Sequence, residues 1–461
     1  MSQNFEIKNY FIIGVITFFI FFWGASATIG INFDFRYVIL LIFIFLIKDI
    51  AEDCKKKNYK FFYLSFSIFL FLITHGFFSR NILNFNFFLS IIFILYLFNI
   101  AYYYHNLILE NKKNIIVLFV AIFFITIFFT YFQNLSHNPE PFSCGALKNF
   151  LPGKNDFSSN YFLIHFISSY EFLFQENSHF AMVSVSVIIF SLYLIIEKKI
   201  SIYLRGILIL FILVSILKIS ATLVIGLSIS SIVLVLFEYK RISHFLTGAL
   251  ILLSIILLSI FFNDVVCIKK INPIVGGNNI LSNDNFDKKL FANSKSTIFS
   301  DGTIVSNNEG STSASKSTIF SDGTIVSNNE GSTSAVVFYH ALNVTINSFL
   351  EKPLGWGFQG YEFAHSNYNI NDTNLITKQI SNLNTKDGTN NFFKIITEFG
   401  VFGFIIYFVL AFVLINKNVS VENKIFLFPF LITQSVRGAG YFNGGFILIM
   451  FVLLISEFKK K

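Results

Sequence analysis

Long apolar runs parted by short basic clusters constrain this chain more than any other feature. A helix of about 17–25 apolar residues crosses a bilayer, because it satisfies its own backbone polar groups where no water can. Twelve candidate spans follow. The first six are Tyr10–Gly30, Tyr37–Ile47, Phe61–Phe78, Phe85–Tyr103, Ile115–Phe132 and Phe180–Ile196. The second six are Ile202–Leu217, Ile219–Phe237, Phe245–Phe262, Phe392–Ile415, Ile425–Val436 and Tyr441–Ile455. The second and the last two are short for a full crossing, so ten or eleven spans is the alternative count. Composition agrees. The chain is 54% hydrophobic and 13% charged, with a mean hydropathy of +0.67, whereas soluble domains carry about 25% charged residues. So much apolar surface cannot be buried in one water-soluble core. The expected fold class is an all-α polytopic membrane protein.

Charge sets the orientation. Lys48 with Lys55–Lys57 and Lys60, Lys112 with Lys113, Lys198 with Lys199, Lys240 with Arg241, Lys417 with Lys424, and Lys459–Lys461 fall on alternate connections. The opposite short connections hold only Arg36, Arg80, Lys218 and Arg437. The positive-inside rule then puts both termini in the cytoplasm. The net charge of +8 follows from orientation and needs no nucleic-acid partner.

Three regions result: a membrane block at 1–262 with an outer loop at 133–178, a long outer loop at 263–390, and C-terminal membrane helices at 391–461. In the long loop, Ser294–Ala314 is repeated letter for letter as Ser315–Ala335. Two copies rich in Ser, Asn, Gly and Thr are too few for a solenoid and read as a weakly ordered surface insert. Val336–Leu350 places Val337, Leu342, Val344 and Phe349 roughly on one side of a helix, and Tyr161–Phe174 is similar. Both suit a helix lying on the membrane surface or packed on the tops of the spans. Pro353, Gly355, Gly357 and Gly360 predict a tight, non-helical corner. Cys144 and Cys267 both fall outside, where pairing is open to them, and Cys54 falls inside.

The span interiors read as nearly free of charge, which argues against a proton-coupled transporter. Fixed cations gather instead at outer helix ends, as Arg80, Lys218 and Arg437. Each suits an anionic head group and equally a snorkelling anchor. Arg437 stands apart because it opens the Gly-rich stretch RGAGYFNGG after a short span, and broken helices are tolerated where they line a cavity.

Four segments carry a resemblance: PLGWGFQGYE (Pro353–Glu362), TNNFFKIITEFGVFGF (Thr389–Phe404, with Glu398, Gly400 and Gly403), QENSHFAM (Gln175–Met182) and RGAGYFNGG (Arg437–Gly445). In order and placement they resemble the bacterial O-antigen polymerase and ligase superfamily. That resemblance implies a metal-independent glycosyltransferase of the inner membrane, without cofactor. Its substrate would be an undecaprenyl-diphosphate-linked oligosaccharide, with a chain-length regulator protein as a partner. Ligases carry a His-x-His-Asn element where this chain reads Asp387-Gly388-Thr389-Asn390-Asn391, and often an Arg where it has Lys218. The first departure favours polymerase over ligase. The reaction needs a cationic cradle for the leaving diphosphate and a base for the acceptor hydroxyl. The cradle is assigned to Arg437, with Arg80 and Lys218 as helpers. The base is sought among Glu176, His179, His365 and Asp387. The competing class is a non-enzymatic lipid-linked-sugar flippase, which would want cavity charges and short loops throughout.

Overall fold

The computed structural model describes residues 2–22, 35–57, 59–78, 85–134, 177–217, 220, 222–234, 236, 333–368, 384–416, 419–438 and 440–458, with four short strands between 296 and 326. The helices, in chain order, are α1 (Ser2–Phe21), a 3-10 helix (Phe35–Ile42) running into α2 (Phe43–Lys55), α3 (Lys60–Phe78), α4 (Phe85–Glu110) and α5 (Lys112–Asn134). They continue as α6 (Asn177–Ile196), α7 (Ile202–Leu217) and α8 (Thr222–Leu234). The last six are α9 (Thr333–Glu351), α10 (Tyr361–Tyr368), α11 (Asn391–Phe399), α12 (Val401–Ile415), α13 (Val421–Val436) and α14 (Phe446–Phe458). The architecture is helical, as the apolar runs require. Among the described residues, three helical segments are long and apolar enough to cross a membrane: Lys60–Phe77, Phe87–Glu110 and His179–Ile196. Shorter apolar helices accompany them at Ile202–Ile216, Thr222–Leu234, Val401–Ile415 and Phe446–Ser456. The candidate span Phe245–Phe262 and both outer cysteines lie outside the described residues.

Burial separates centre from rim. The apolar window of α6 is 78% buried and that of α3 only 22%, so α6 is a core helix and α3 shows most of its surface outward. α6 packs on α13, where Phe190 meets Phe426 edge-on at 5.4 Å. Gly226 of α8 lies where a Cβ would strike Thr433 of α13 at 2.8 Å and Val185 of α6 at 3.0 Å. A small residue there lets three backbones approach closely, as membrane helix interfaces favour. α14 packs on α4 through Phe451 and Phe98, 5.3 Å apart.

Three expectations change. Each repeat copy, expected as a weakly ordered insert, builds an antiparallel two-stranded hairpin beside the helical architecture, Ser296–Ile298 with Ile304–Ser306 (β1, β2) and Thr318–Ile319 with Ile325–Val326 (β3, β4). The Asp-Gly pairs between the strands (Asp301-Gly302, Asp322-Gly323) are strong hairpin-turn signals. The short second span is a 3-10 helix that runs into α2 and on through Lys48 to Lys55.

The third change concerns the site. The candidate span Phe392–Ile415 is broken at Gly400, whose φ is +55°, into α11 and α12. The break is imposed from outside: the Pro353 carbonyl accepts from the Val401 N–H at 2.8 Å, and any Cβ on Gly400 would strike that carbonyl. Substituting Gly400→Ala combines a disfavoured φ with this clash, so a loss of about 1–3 kcal/mol is expected. Gly14→Ala, where nothing lies within 4 Å, should be neutral or stabilising. Thermal unfolding of the two purified variants in one detergent checks the contrast.

Candidate functional site

Two irregular segments meet beside α11. The first is the turn Asn384–Asn390, which delivers the chain into α11. Gly388 takes φ +70° and Thr389 φ +65°. A β-branched residue in the left-handed region is a genuine outlier, and such strain persists only where its surroundings enforce it. Thr389 is buried, and its carbonyl accepts the Gly438 N–H at 3.2 Å. Asn390 then caps α11, its side-chain oxygen accepting from the Phe393 N–H at 2.7 Å. The second segment is Arg437–Gly445, which leaves α13 and turns into α14. Gly440, Gly444 and Gly445 all have positive φ, which glycine adopts without a Cβ penalty. The side-chain amide of Gln434 donates to the Gly444 carbonyl at 2.9 Å and holds the turn.

The chemistry gathers at this meeting point. A Cβ on Gly440 would sit 3.1 Å from Asp387 Oδ1 and 3.7 Å from Lys394 Nζ, so a carboxylate and an ammonium both face the same bare glycine. Lys394 is 5% exposed. Its ammonium donates to the Lys386 carbonyl at 2.6 Å and lies 4.8 Å from the centre of the Tyr441 ring. Asp387 is half-buried. Arg437, also half-buried, is the residue at which α13 ends. Asn391 is fully buried, and its carboxamide donor and acceptor find no partner among the described residues. A Cβ on Gly438 would lie 3.1 Å from that amide.

Beneath this corner sits Glu398, with no exposed surface. One carboxylate oxygen accepts from the Tyr441 hydroxyl at 2.5 Å and the other from the Tyr361 N–H at 3.4 Å, and the Gln359 N–H donates as well. Lys394, one turn away on the same helix, adds its charge. The main chain repeats the arrangement. Trp356 and Gly357 donate to the carbonyls of Thr397 and Glu398 at 3.0 and 2.8 Å, which are the orphan acceptors of a helix that has just ended. The tight corner expected at Pro353–Gly360 is therefore a cap on α11. Burial and the nearby Glu398 charge raise the pKa of the Tyr361 phenol.

Of the residues expected from sequence, Asp387 and the backbone of Arg437 come together at this corner. His365 lies buried on α10, one turn beyond Tyr361. His179 stands in the first turn of α6, which packs on α13. Glu176, Arg80 and Lys218 lie outside the described residues. Sequence reasoning missed Lys394 and Asn391 and gave Glu398 and Tyr441 no role. The signal was present in Lys394 and Glu398, spaced i and i+4 inside an apolar run. Such charges mark a functional site by default, and the reading of the spans as nearly charge-free is corrected here. Comparison with family models, with curated proteins and with solved structures gave no match.

Removing the phenol with Tyr441→Phe should cost about 1–3 kcal/mol, because it strips a donor from a buried carboxylate. In a Glu398→Gln background the same change should cost clearly less. A double-mutant cycle read by thermal unfolding measures the coupling, and additive effects would detach Tyr441 from Glu398.

Proposed function

We propose that the chain is a membrane glycosyltransferase of the O-antigen polymerase kind, with about twelve spans, both termini cytoplasmic and the long loop on the periplasmic face. The growing glycan moves from undecaprenyl diphosphate to a hydroxyl of the next lipid-linked repeat unit. The bond between the anomeric carbon and the diphosphate oxygen breaks, and a glycosidic bond to the acceptor oxygen forms. The acceptor proton goes to a base, and undecaprenyl diphosphate departs with the developing negative charge.

The observation that carries this reading is the convergence of Asp387 and Lys394 on Gly440, three residues after Arg437. Cations fixed before the reaction stabilise charge that develops during it. Lys394 acts as a point charge and Arg437 as the two-pronged phosphate donor. Asp387 is the favoured base, because it is half-buried where His365 is 4% exposed and so is better placed to meet a substrate. Asn391 offers both an N–H donor group and a carbonyl acceptor, which is what a sugar hydroxyl needs and a phosphate oxygen does not. The missing ligase histidines favour the polymerase over the ligase.

Arg437→Gln should slow polymerisation of purified lipid-linked repeat units by about 10²–10³ at normal membrane abundance, the usual size for one electrostatic donor. Arg437→Lys should recover only part of the rate, because it lacks the fork. Near-normal polymerisation by the Gln variant would return Arg437 to a role as interfacial anchor.

A further inference from the structure

α9 is folded inside out. Its inward face, packed on α11, carries His340, Thr345 and Ser348 among Val337, Ala341 and Val344, all buried. Its outward face carries Phe338, Tyr339, Ile346 and Leu350, the last 74% exposed, with Leu342 and Phe349 half-buried along the same stripe. From Thr333 to Leu350 there is no Asp, Glu, Lys or Arg. A helix in water shows the opposite polarity, and an uninterrupted exposed apolar stripe marks a contact with something apolar.

The neighbours of α9 identify that contact. Phe338 lies 5.0 Å from Phe393, the Thr345 hydroxyl accepts from that of Thr397 at 3.1 Å, and Phe349 meets Phe404 edge-on at 5.3 Å. α9 therefore runs alongside α11, past the break at Gly400 and onto the first turn of α12. Its stripe continues directly into the exposed apolar face of α12 at Phe404, Ile405, Phe408 and Phe412. The backbone of the turn after α9 is bonded to match, and its second half, Gly355 to Phe358, is buried. His75, one turn before the end of α3, donates to the Leu354 carbonyl at 2.8 Å. The Pro353 carbonyl and the N–H groups of Gly355, Trp356 and Gly357 are all bonded to protein. Irregular backbone is tolerated at membrane depth only when satisfied in this way. The charges of the turn point elsewhere: Glu351 accepts from the Tyr368 hydroxyl, and the Lys352 ammonium sits 3.4 Å from the Trp356 ring centre. On α10 beyond them, Glu362, Ser366 and Asn367 are exposed.

We propose that α9 and the Pro353–Gly360 turn form a re-entrant element, with the Phe338–Leu350 stripe seated among the acyl chains of the outer leaflet and the polar edge of α10 facing water. The choice of leaflet rests on the functional reading above, and the lipid contact does not. The element forms a wall between bilayer and site, since α11 carries Lys394 on its other contacts.

Nitroxide labels decide the matter in the full chain with Cys54, Cys144 and Cys267 replaced by Ser, reconstituted in phosphatidylethanolamine–phosphatidylglycerol vesicles. Labels at Tyr339→Cys, Ile346→Cys and Leu350→Cys should collide with oxygen and be shielded from a water-soluble nickel chelate. Labels at Glu362→Cys and Asn367→Cys should show the reverse. Nickel contact at the three stripe positions equal to that of the two controls would overturn the proposal. So would shielding of the stripe from both reagents, which would mean that protein, another copy included, covers it. Because the readout is collision and not turnover, a lipid-shielded stripe in a chain that fails to polymerise repeat units would overturn the functional reading and leave this one standing.

Discussion

The termination of α11 by a distant main chain is the interaction on which the rest of the site depends. A helix that stops among apolar neighbours leaves carbonyls without partners, and each buried group left unsatisfied costs about 1–3 kcal/mol. Here Trp356 and Gly357 supply the donors, Val401 returns one to Pro353, and the Glu398 side chain collects the Tyr441 hydroxyl and two further N–H groups. The contact is backbone against backbone, which is why glycine stands on both sides, at Gly355 and Gly400. Only with α11 ended and clamped do Asp387, just before it, and Asn391 and Lys394, in its own first turns, meet at one corner.

Much of the helical framework was legible, for a physical reason. Without water, an apolar run of sufficient length has one backbone solution, and the basic clusters between runs set the limits. Gly400 shows where that legibility stops. A single glycine costs a helix only about 1 kcal/mol, so nothing local to Phe392–Ile415 requires a break. The break is made by Pro353, far away in sequence. The Asp-Gly pairs of the repeat were local signals for hairpins, outweighed in the reading by the segment's polar composition.

α9 marks a different limit. The apolar residues of Val336–Leu350 predicted a one-sided helix, yet Val337 and Val344 turn inward while Phe338, Tyr339, Ile346 and Leu350 turn out. Apolar residues occur on both sides, so hydrophobicity alone does not say which face meets protein. The polar members decide it. Thr345 is answered across the interface by Thr397, and His340 and Ser348 are buried on the same side, so the more polar face is the one packed against α11. Membrane helices generally hold their polar groups against protein in this way. The same rule applied to Lys394 and Glu398, in a run otherwise apolar, locates the inward face of α11.

The two helices that meet at the corner contribute unequal fields. α13 ends at Arg437, and a helix C-terminus carries partial negative charge that stabilises a cation and opposes an anion. A cation at Arg437 is thus favoured by its own helix end. α11 begins beside it, with Asn390 as cap, and its N-terminal end carries the opposite sign, which favours anions. Lys394, in the second turn of α11, adds a full positive charge on the same side, fixed by the Lys386 carbonyl and the Tyr441 ring. At Gly440 that ammonium meets the Asp387 carboxylate, so the positive charge there is held beside a negative one. The strained turn at Gly388 and Thr389 is what brings the Asp387 carboxylate to the same glycine that Lys394 faces. A side chain at position 440 would fill the space these two charges share, so the bare glycine is what allows a carboxylate and an ammonium to meet on one turn.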